Sequence, residues 1–132
     1  MVETRGLTHV AFQVEDADRA FRFYRSVLGA VEVYRSNNFV QAQTPGSWDV
    51  LVFEKSPGHP VGSGGIGHIG FRLVRPEDID WAIESVIAAG GQILDRGEFC
   101  PGEPYVFFED LDGYTIELWY ELPTPVDPRT DQ

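Results

Sequence analysis

An internal repeat is the feature that most constrains the fold of this chain. Residues 7–14 (LTHVAFQV) align with residues 66–73 (IGHIGFRL), so that His68 follows His9 by 59 residues. Both segments alternate in polarity and are rich in residues that favour strands. A repeat of this length predicts two copies of one supersecondary unit that build a common core.

Each copy continues in the same way, with one helix and three further strands. The first helix is expected to begin after Asp16 as N-cap and to end at Gly29; the second begins near Pro76 and ends at Gly90. The alternating runs that follow predict strands at 30–35, 39–44 and 48–54, and at 92–96, 105–109 and 114–120. The sequence therefore predicts an α+β fold of two βαβββ modules.

The boundaries between the modules follow from composition. We expect the first module over residues 1–56, a Gly/Pro-rich linker over 57–66, the second module over 67–122 and a loose tail over 123–132. His59 falls in the linker, where we expect it to be exposed to solvent. Together the two modules have the length of one ordinary domain.

Charge and cysteine content restrict the partners. The 132 residues include 21 acidic and 10 basic side chains, a formal charge of −11 that repels phosphate backbones and anionic lipids. No apolar run is long enough for a membrane span, and the single cysteine, Cys100, fits a reducing compartment. We expect a cytoplasmic protein that binds a small molecule, and neither nucleic acid nor membrane.

Three potential metal ligands share one face of the predicted sheets. Side chains alternate across a strand, so Val10, Phe12 and Val14 lie under the helix while His9 lies on the opposite face. The same count places His68 and Glu117 on that opposite face. A single strand histidine is more often structural, but two at equivalent positions favour a metal site. Two imidazoles and a carboxylate suit iron(II), zinc, nickel or manganese and leave positions open for substrate.

The same face predicts an aromatic pocket for a small molecule. By the alternation of each strand its members are Phe39, Gln41, Gln43, Asp49, Leu51, Phe53, Tyr105, Phe107 and Trp119. Any one of these aromatics could equally belong to the core or to a dimer interface. Arg72 could bind an anionic group of the substrate or form an ion pair at the rim.

Several motifs resemble those of a known family. They are His9, the helix from Asp16 to Gly29, the GHIGF run at 67–71 and the closing run EDLDGYTIEL at 109–118, where Leu111 replaces a usual proline. The family that they resemble is the vicinal oxygen chelate superfamily, which includes glyoxalase I, bleomycin-resistance proteins, fosfomycin-resistance enzymes, methylmalonyl-CoA epimerase and extradiol dioxygenases.

The resemblance covers the chain from about Leu7 to Tyr120. It implies modules that curl into an open, cup-shaped mixed sheet with helices on the outer face, often in a homodimer and sometimes with modules exchanged between chains. It also implies that His9, His68 and Glu117 bind one divalent metal ion.

Departures from the family patterns narrow the choice of member. Glyoxalase I and the epimerase resemble each other in a fourth ligand from the first module, where this chain has Leu51, or Val52 if the register shifts by one. Asp49 is a weak substitute. Extradiol dioxygenases have a tyrosine where this chain has Phe107, and their second-shell histidine is missing. The basic residues expected of a fosfomycin-type anion pocket are missing after Glu117. Bleomycin-binding proteins generally lack the metal-binding set of two histidines and one glutamate, which this chain has.

These features lead to two functional hypotheses. The preferred one is a metal-dependent enzyme, a lyase, isomerase or dioxygenase, acting on a small oxygenated substrate that chelates the metal. Glu117, Tyr105 and Gln41 are its candidate catalytic residues, and Glu54 could act as a base only if a bulge turned it inward. The candidate substrate-binding residues are Phe39, Leu51, Phe53, Arg72, Phe107 and Trp119. The alternative is a non-catalytic protein that sequesters an aromatic drug or metabolite.

Overall fold

The computed structural model describes residues 1, 3, 7–58 and 66–128. The elements in chain order are β1 (Val10–Val14), α1 (Ala17–Leu28), β2 (Val31–Arg35), β3 (Phe39–Gln43), β4 (Leu51–Lys55), β5 (Ile69–Arg72), α2 (Ile79–Ala88), β6 (Gln92–Glu98), β7 (Pro104–Glu109) and β8 (Thr115–Trp119). A 3₁₀ turn over Pro76–Asp78 leads into α2. The predicted repeat of βαβββ is confirmed.

The strands form two open, mixed sheets of four strands each. The first has the order β1-β4-β3-β2 and the second β5-β8-β7-β6. In each sheet the first and last strands of the module pair in parallel and the other neighbours are antiparallel. The two sheets thus repeat one topology, as the sequence repeat requires.

Local sequence accounts for the helix ends. The Asp16 carboxylate accepts a hydrogen bond from the backbone N–H of Arg19 at 3.0 Å, which satisfies one of the free donors at the start of α1. Gly29 follows α1 with φ +70°, a left-handed conformation that glycine adopts without steric cost. Gly90 has the same role after α2, with φ +97°.

Both modules contribute to one hydrophobic core beneath the helices. Tyr24 of α1 is buried among Phe12, Phe53 and Phe71, with its ring centroid 5.2 Å from that of Phe53. Phe23, its neighbour in α1, contacts Phe108 of the second sheet. Because aromatic side chains bury large apolar areas, these contacts join the two modules as well as each helix to its sheet.

The hairpin between β7 and β8 fastens the modules to each other. The buried carboxylate of Asp110 accepts a hydrogen bond from the Tyr24 hydroxyl at 2.7 Å and bonds from the backbone N–H groups of Asp112 and Tyr114. Asp112 in turn accepts from the Glu15 backbone and from the Arg19 guanidinium. The closing acidic motif is therefore a structural element that holds the start of α1 against the second sheet.

The linker and tail are described only in part. Most of the predicted linker, including His59, lies outside the described residues, as do residues 129–132 of the tail. In the described part of the tail, Asp127 receives two hydrogen bonds from Arg72 of β5. Within the described ranges, neither helix is both long and apolar enough to cross a bilayer.

We expect Gly91→Ala to destabilise the fold by about 1–3 kcal/mol, the usual cost of overpacking a core. A Cβ at Gly91 would lie 2.7 Å from Val86 Cγ1 and 3.2 Å from the Glu109 carbonyl oxygen. Val86 is fully buried and cannot move aside cheaply. Urea unfolding measures the change. Gly67→Ala is the control, because a Cβ there meets no atom within 4 Å; equal losses for the two variants would contradict the prediction.

Candidate metal site

Each sheet has one face turned away from the helices, which we call its open face. In the second sheet Gly70 pairs with Glu117 and Glu117 with Phe107, so these three residues lie side by side. Tyr105 and Trp119 form the next pair on the same face. The alternation predicted from the sequence thus holds for β5, β7 and β8.

His68 and Glu117 meet on this open face. His68 Nε2 lies 3.5 Å from Glu117 Oε1, and the imidazole packs edge-on against the Phe107 ring. The Glu117 residue is only 6% exposed, and this burial raises the pKa of its carboxyl group, while His68 opposes the shift. Gly70 leaves the space in front of the carboxylate free, since a Cβ there would stand 3.3 Å from Oε1.

These two residues fit a metal ion as a donor set. A buried carboxylate beside an imidazole nitrogen costs free energy unless a cation compensates its charge, and both are common ligands of divalent transition metals. A site of three protein ligands needs one more donor. Among the residues that the structure describes, however, no three His, Cys, Asp or Glu side chains come close enough to hold one ion.

His9 is the predicted ligand that the single chain keeps apart. It is exposed just before β1, with Nδ1 2.7 Å from the Thr8 hydroxyl. It borders a cavity of about 150 Å³ that Asp49 and Phe71 also line, and neither His68 nor Glu117 lines it. One chain therefore brings together two of the three predicted ligands.

In strand β4 the side chains that face the helix are the ones that the sequence prediction placed on the open face, so the predicted alternation is shifted by one residue. Phe53 pairs with Phe12 and Leu51 with Val10, so both predicted substrate-binding residues lie under α1, 0% and 2% exposed. Their side chains therefore pack in the core and not on the open face, although Leu51 also borders the cavity beside His9. Val52 and Glu54 occupy the open face instead, opposite Ala11 and Gln13.

The register of β4 also fixes the positions of Val52 and Glu54 in the first module. Because Ala11 pairs with Val52 as Gly70 pairs with Glu117, Val52 is the equivalent of Glu117 and offers no fourth ligand. Glu54 lies on the open face by regular alternation, and no bulge is needed to turn it there. Asp49 accepts a hydrogen bond from the Thr44 backbone and so belongs to the turn before β4.

The two predicted auxiliary residues both lie on open faces. The Tyr105 hydroxyl donates to Asp95 Oδ2 at 3.1 Å, and this hydrogen bond raises the pKa of Tyr105. Tyr105 therefore keeps its proton at neutral pH and can act as a donor but not as a base. Gln41 is half-buried on the first sheet, opposite Val52, and Phe39 is half-buried opposite Glu54.

Sequence reasoning missed one member of the aromatic surface. Phe99, in the turn after β6, stacks on Tyr105 with ring centroids 4.2 Å apart and stands edge-on to Trp119 at 5.8 Å. Alternation along strands could not place it, because it lies outside any strand. Gly97 gives room for this arrangement, since a Cβ there would come within 2.9 Å of the Tyr105 hydroxyl.

Arg72 is engaged by the tail. Its guanidinium donates to both carboxylate oxygens of Asp127, at 3.1 and 2.9 Å, and lies 3.8 Å from Glu121. Of the two roles considered for Arg72, the structure shows the ion pair.

We expect Arg72→Gln to release the tail at neutral pH. The Arg72 hydrogen bonds hold the pKa of the Asp127 carboxyl well below its usual range. Because the pKa of Asp127 is lowered on folding, the ion pair with Arg72 contributes its full stabilisation at every pH above the unfolded pKa, near 3.9. This stabilisation is lost only as pH falls through the folded pKa. The protection factor for hydrogen exchange at the Leu122 amide, which bonds to Glu103, should therefore be lower in the variant at pH 7 and should stay constant in the native chain down to about pH 4. Equal exchange in both proteins would contradict this.

Comparison with known proteins identifies the family. The model of the Glyoxalase/Bleomycin resistance protein/Dioxygenase superfamily matches residues 6–118. The chain belongs to this superfamily. The resemblance expected from the motifs is thereby confirmed, and solved members agree with the fold: a fosfomycin resistance protein, FosX, from Listeria monocytogenes has a TM-score of 0.77 at 20% identity, over 92% of this chain and 96% of that one.

Curated members of the superfamily include enzymes of three kinds. A manganese-dependent 2,3-dihydroxybiphenyl 1,2-dioxygenase from Geobacillus genomosp. 3 is 25% identical over 92% of this chain. A probable chloroplastic lactoylglutathione lyase from Arabidopsis thaliana is 30% identical over 93%. The chain spans only 38% of the length of each. The metallothiol transferase FosB from Staphylococcus epidermidis is 25% identical, over 86% of this chain and 82% of its own length.

Proposed function

We propose that this protein is a divalent-metal-dependent enzyme that acts on a small oxygenated substrate chelated to the metal. The observation that carries the proposal is the buried Glu117 carboxylate with His68 Nε2 at 3.5 Å on an aromatic open face. The names of relatives that mention manganese or a metallothiol support a metal, although they do not choose between iron, zinc, nickel and manganese.

His9 of a second copy is the proposed third ligand. Within one chain His9 does not join His68 and Glu117, yet both open faces are left uncovered by the helices. A homodimer in which the first sheet of one chain faces the second sheet of the other would cover both faces and complete two equivalent sites. The conspicuous exposure of apolar side chains such as Leu7, Ile66 and Val74 is consistent with such an interface.

The side chains on the two open faces would bind the metal and position the substrate. When bound, the metal supplies Lewis-acid stabilisation of negative charge on a substrate oxygen. His68 and Glu117 would hold it on the open face, and Tyr105, whose single O–H is donated to Asp95 in this structure, would turn that hydrogen towards a bound substrate as proton donor. Gln41 offers an amide for hydrogen bonding from the opposite sheet. We place lyase or isomerase chemistry before dioxygenase chemistry, because Phe107 next to Glu117 has no hydroxyl group.

A second candidate function is binding without chemistry. The stacked rings of Phe99, Tyr105 and Trp119 would hold an aromatic compound whether or not a metal is present. In that case a ligand of this kind would raise the melting temperature equally with and without metal.

Elemental analysis of untagged protein, purified without added metal, tests the proposal. We expect about one equivalent of one transition metal per chain, absent from His68→Ala and from a His9→Ala, His68→Ala double variant. Phe39→Ala, on the open face but without a donor atom, is the matched control and should retain the metal. Failure to take up any metal on addition, or normal turnover by metal-free His68→Ala, would overturn the enzyme proposal and favour the binding protein.

A further inference from the structure

An aromatic surface adjoins the carboxylate of Glu117. Phe99, Tyr105 and Trp119 form this surface, which we call the ring cluster, and Phe99 is 52% exposed. The space above Gly70 connects it to the candidate metal site: a Cβ there would lie 3.3 Å from Glu117 Oε1 and 3.8 Å from Trp119 Nε1. A ligand with oxygens near Glu117 would therefore have its body against these rings.

The open faces of the described strands present no Lys or Arg side chain that is free to pair with an anionic ligand. In the strands that the structure describes, Arg72 is the only Lys or Arg at an open-face position, and Asp127 and Glu121 neutralise it. The arginines of β2 and β6 lie on the helix side, where Arg35 pairs with Asp18 of α1 and Arg96 with Asp80 of α2. Four carboxylates occupy open-face positions of the described strands: Glu54, Asp95, Glu109 and Glu117.

We propose that the ligand of this site is a flat aromatic compound without any anionic group beyond the atoms that bind the metal. Its ring stacks on Phe99 and Trp119, while phosphonates, carboxylates and anionic thiol conjugates are rejected because the described strands present acidic side chains on the open faces and no free arginine to pair with such anions. The inference deepens the proposed function, on which its metal-binding part rests, and makes Phe99 a residue that determines specificity.

Three matched probes test the two parts of this inference by isothermal titration calorimetry. 4-Methylcatechol carries the ring and two neighbouring oxygens, 3,4-dihydroxybenzoate adds one negative charge, and 4-methylcyclohexane-1,2-diol removes the flat ring. Each is titrated into metal-free and manganese-loaded protein. We expect 4-methylcatechol to bind at least about tenfold more tightly than either of the others, and Phe99→Ala to weaken it by about tenfold. Leu94→Ala, an exposed apolar residue of β6 outside the ring cluster, is the control and should leave binding unchanged.

The outcomes separate this inference from the proposed function. Any one of four results would overturn the inference: tighter binding of 3,4-dihydroxybenzoate, equal binding of the saturated diol, no effect of Phe99→Ala, or no binding of any probe. Manganese uptake combined with any of these results would leave the proposed metal site standing. Conversely, a chain that binds no metal but still selects 4-methylcatechol through Phe99 would refute the metal-dependent function and support the ligand class.

Discussion

A one-to-one mixture of His9→Ala and His68→Ala proteins, dissociated and reassociated, is expected to recover metal binding that neither protein has alone. If His9 of one chain completes the His68–Glu117 pair of the other, each mixed dimer contains one intact site and one site that lacks both histidines. Random association makes half of the dimers mixed, so about one quarter of the native number of sites should return. Metal content after gel filtration measures the recovery.

A second mixture provides the control. His68→Ala and Glu117→Ala both affect the second module, so no mixed dimer of these two variants has an intact site, and no metal should return. If all three ligands came from one chain, the first mixture would also stay empty. Recovery in the first mixture alone would therefore establish both the third ligand and its origin in the partner.

Asp110→Ala is expected to lower the free energy of unfolding by about 3 kcal/mol, because it leaves several hydrogen-bonding groups without their partner at once. Asp110 accepts from the buried Tyr24 hydroxyl and from two backbone N–H groups of its own hairpin. Because Tyr24 lies in the core shared by both modules, we expect the two modules of the variant to unfold less cooperatively in urea.

Asp110→Asn is the matched variant, since an amide of the same shape can still accept from the hairpin and face the Tyr24 hydroxyl. It should retain most of the stability that the alanine variant loses. A loss as large as that of Asp110→Ala would show that the negative charge, and not the hydrogen-bonding geometry, stabilises this contact.

Asp110→Asn and the native chain should also differ in how their free energy of unfolding depends on pH. Burial raises the pKa of Asp110 despite the hydrogen bond from Tyr24. A raised carboxyl pKa gives stability that is fully present below the unfolded value, near 3.9, and is lost as pH rises through the folded value. Asp110→Asn lacks this loss, so its stability relative to the native chain should increase as pH rises from about 4 towards 7. A difference that is constant across this range would contradict the assignment.

Positions of the secondary structure elements followed from local chemistry and could be predicted. Asp16 caps α1 and Gly29 ends it because a side-chain acceptor and a left-handed residue are needed at those places in any context. The faces of β1, β5 and β8 were predictable too, since polar and apolar residues alternate there and only one phase buries the apolar set. The same alternation places His68 and Glu117 on one face.

Strand β4 shows where such reasoning fails. Val50-Leu51-Val52-Phe53 is apolar throughout, so alternation gives no phase, and only pairing with β1 turns Phe53 towards Tyr24. Phe99 was missed, and the choice between two roles for Arg72 stayed open, for a related reason: a turn residue and an arginine at a strand end depend on contacts with distant segments, here Tyr105 and Asp127.

The sequence by itself thus determined the repeated module, its helix ends and the residue types of a candidate metal site, because these depend on neighbours a few residues apart. Only the tertiary structure decided which residues share a site. It placed Leu51 and Phe53 in the core, bound Arg72 to the tail and separated His9 from His68 and Glu117. The relative position of two modules depends on the core packing of Tyr24 and on the Asp110 hairpin, which no local pattern encodes.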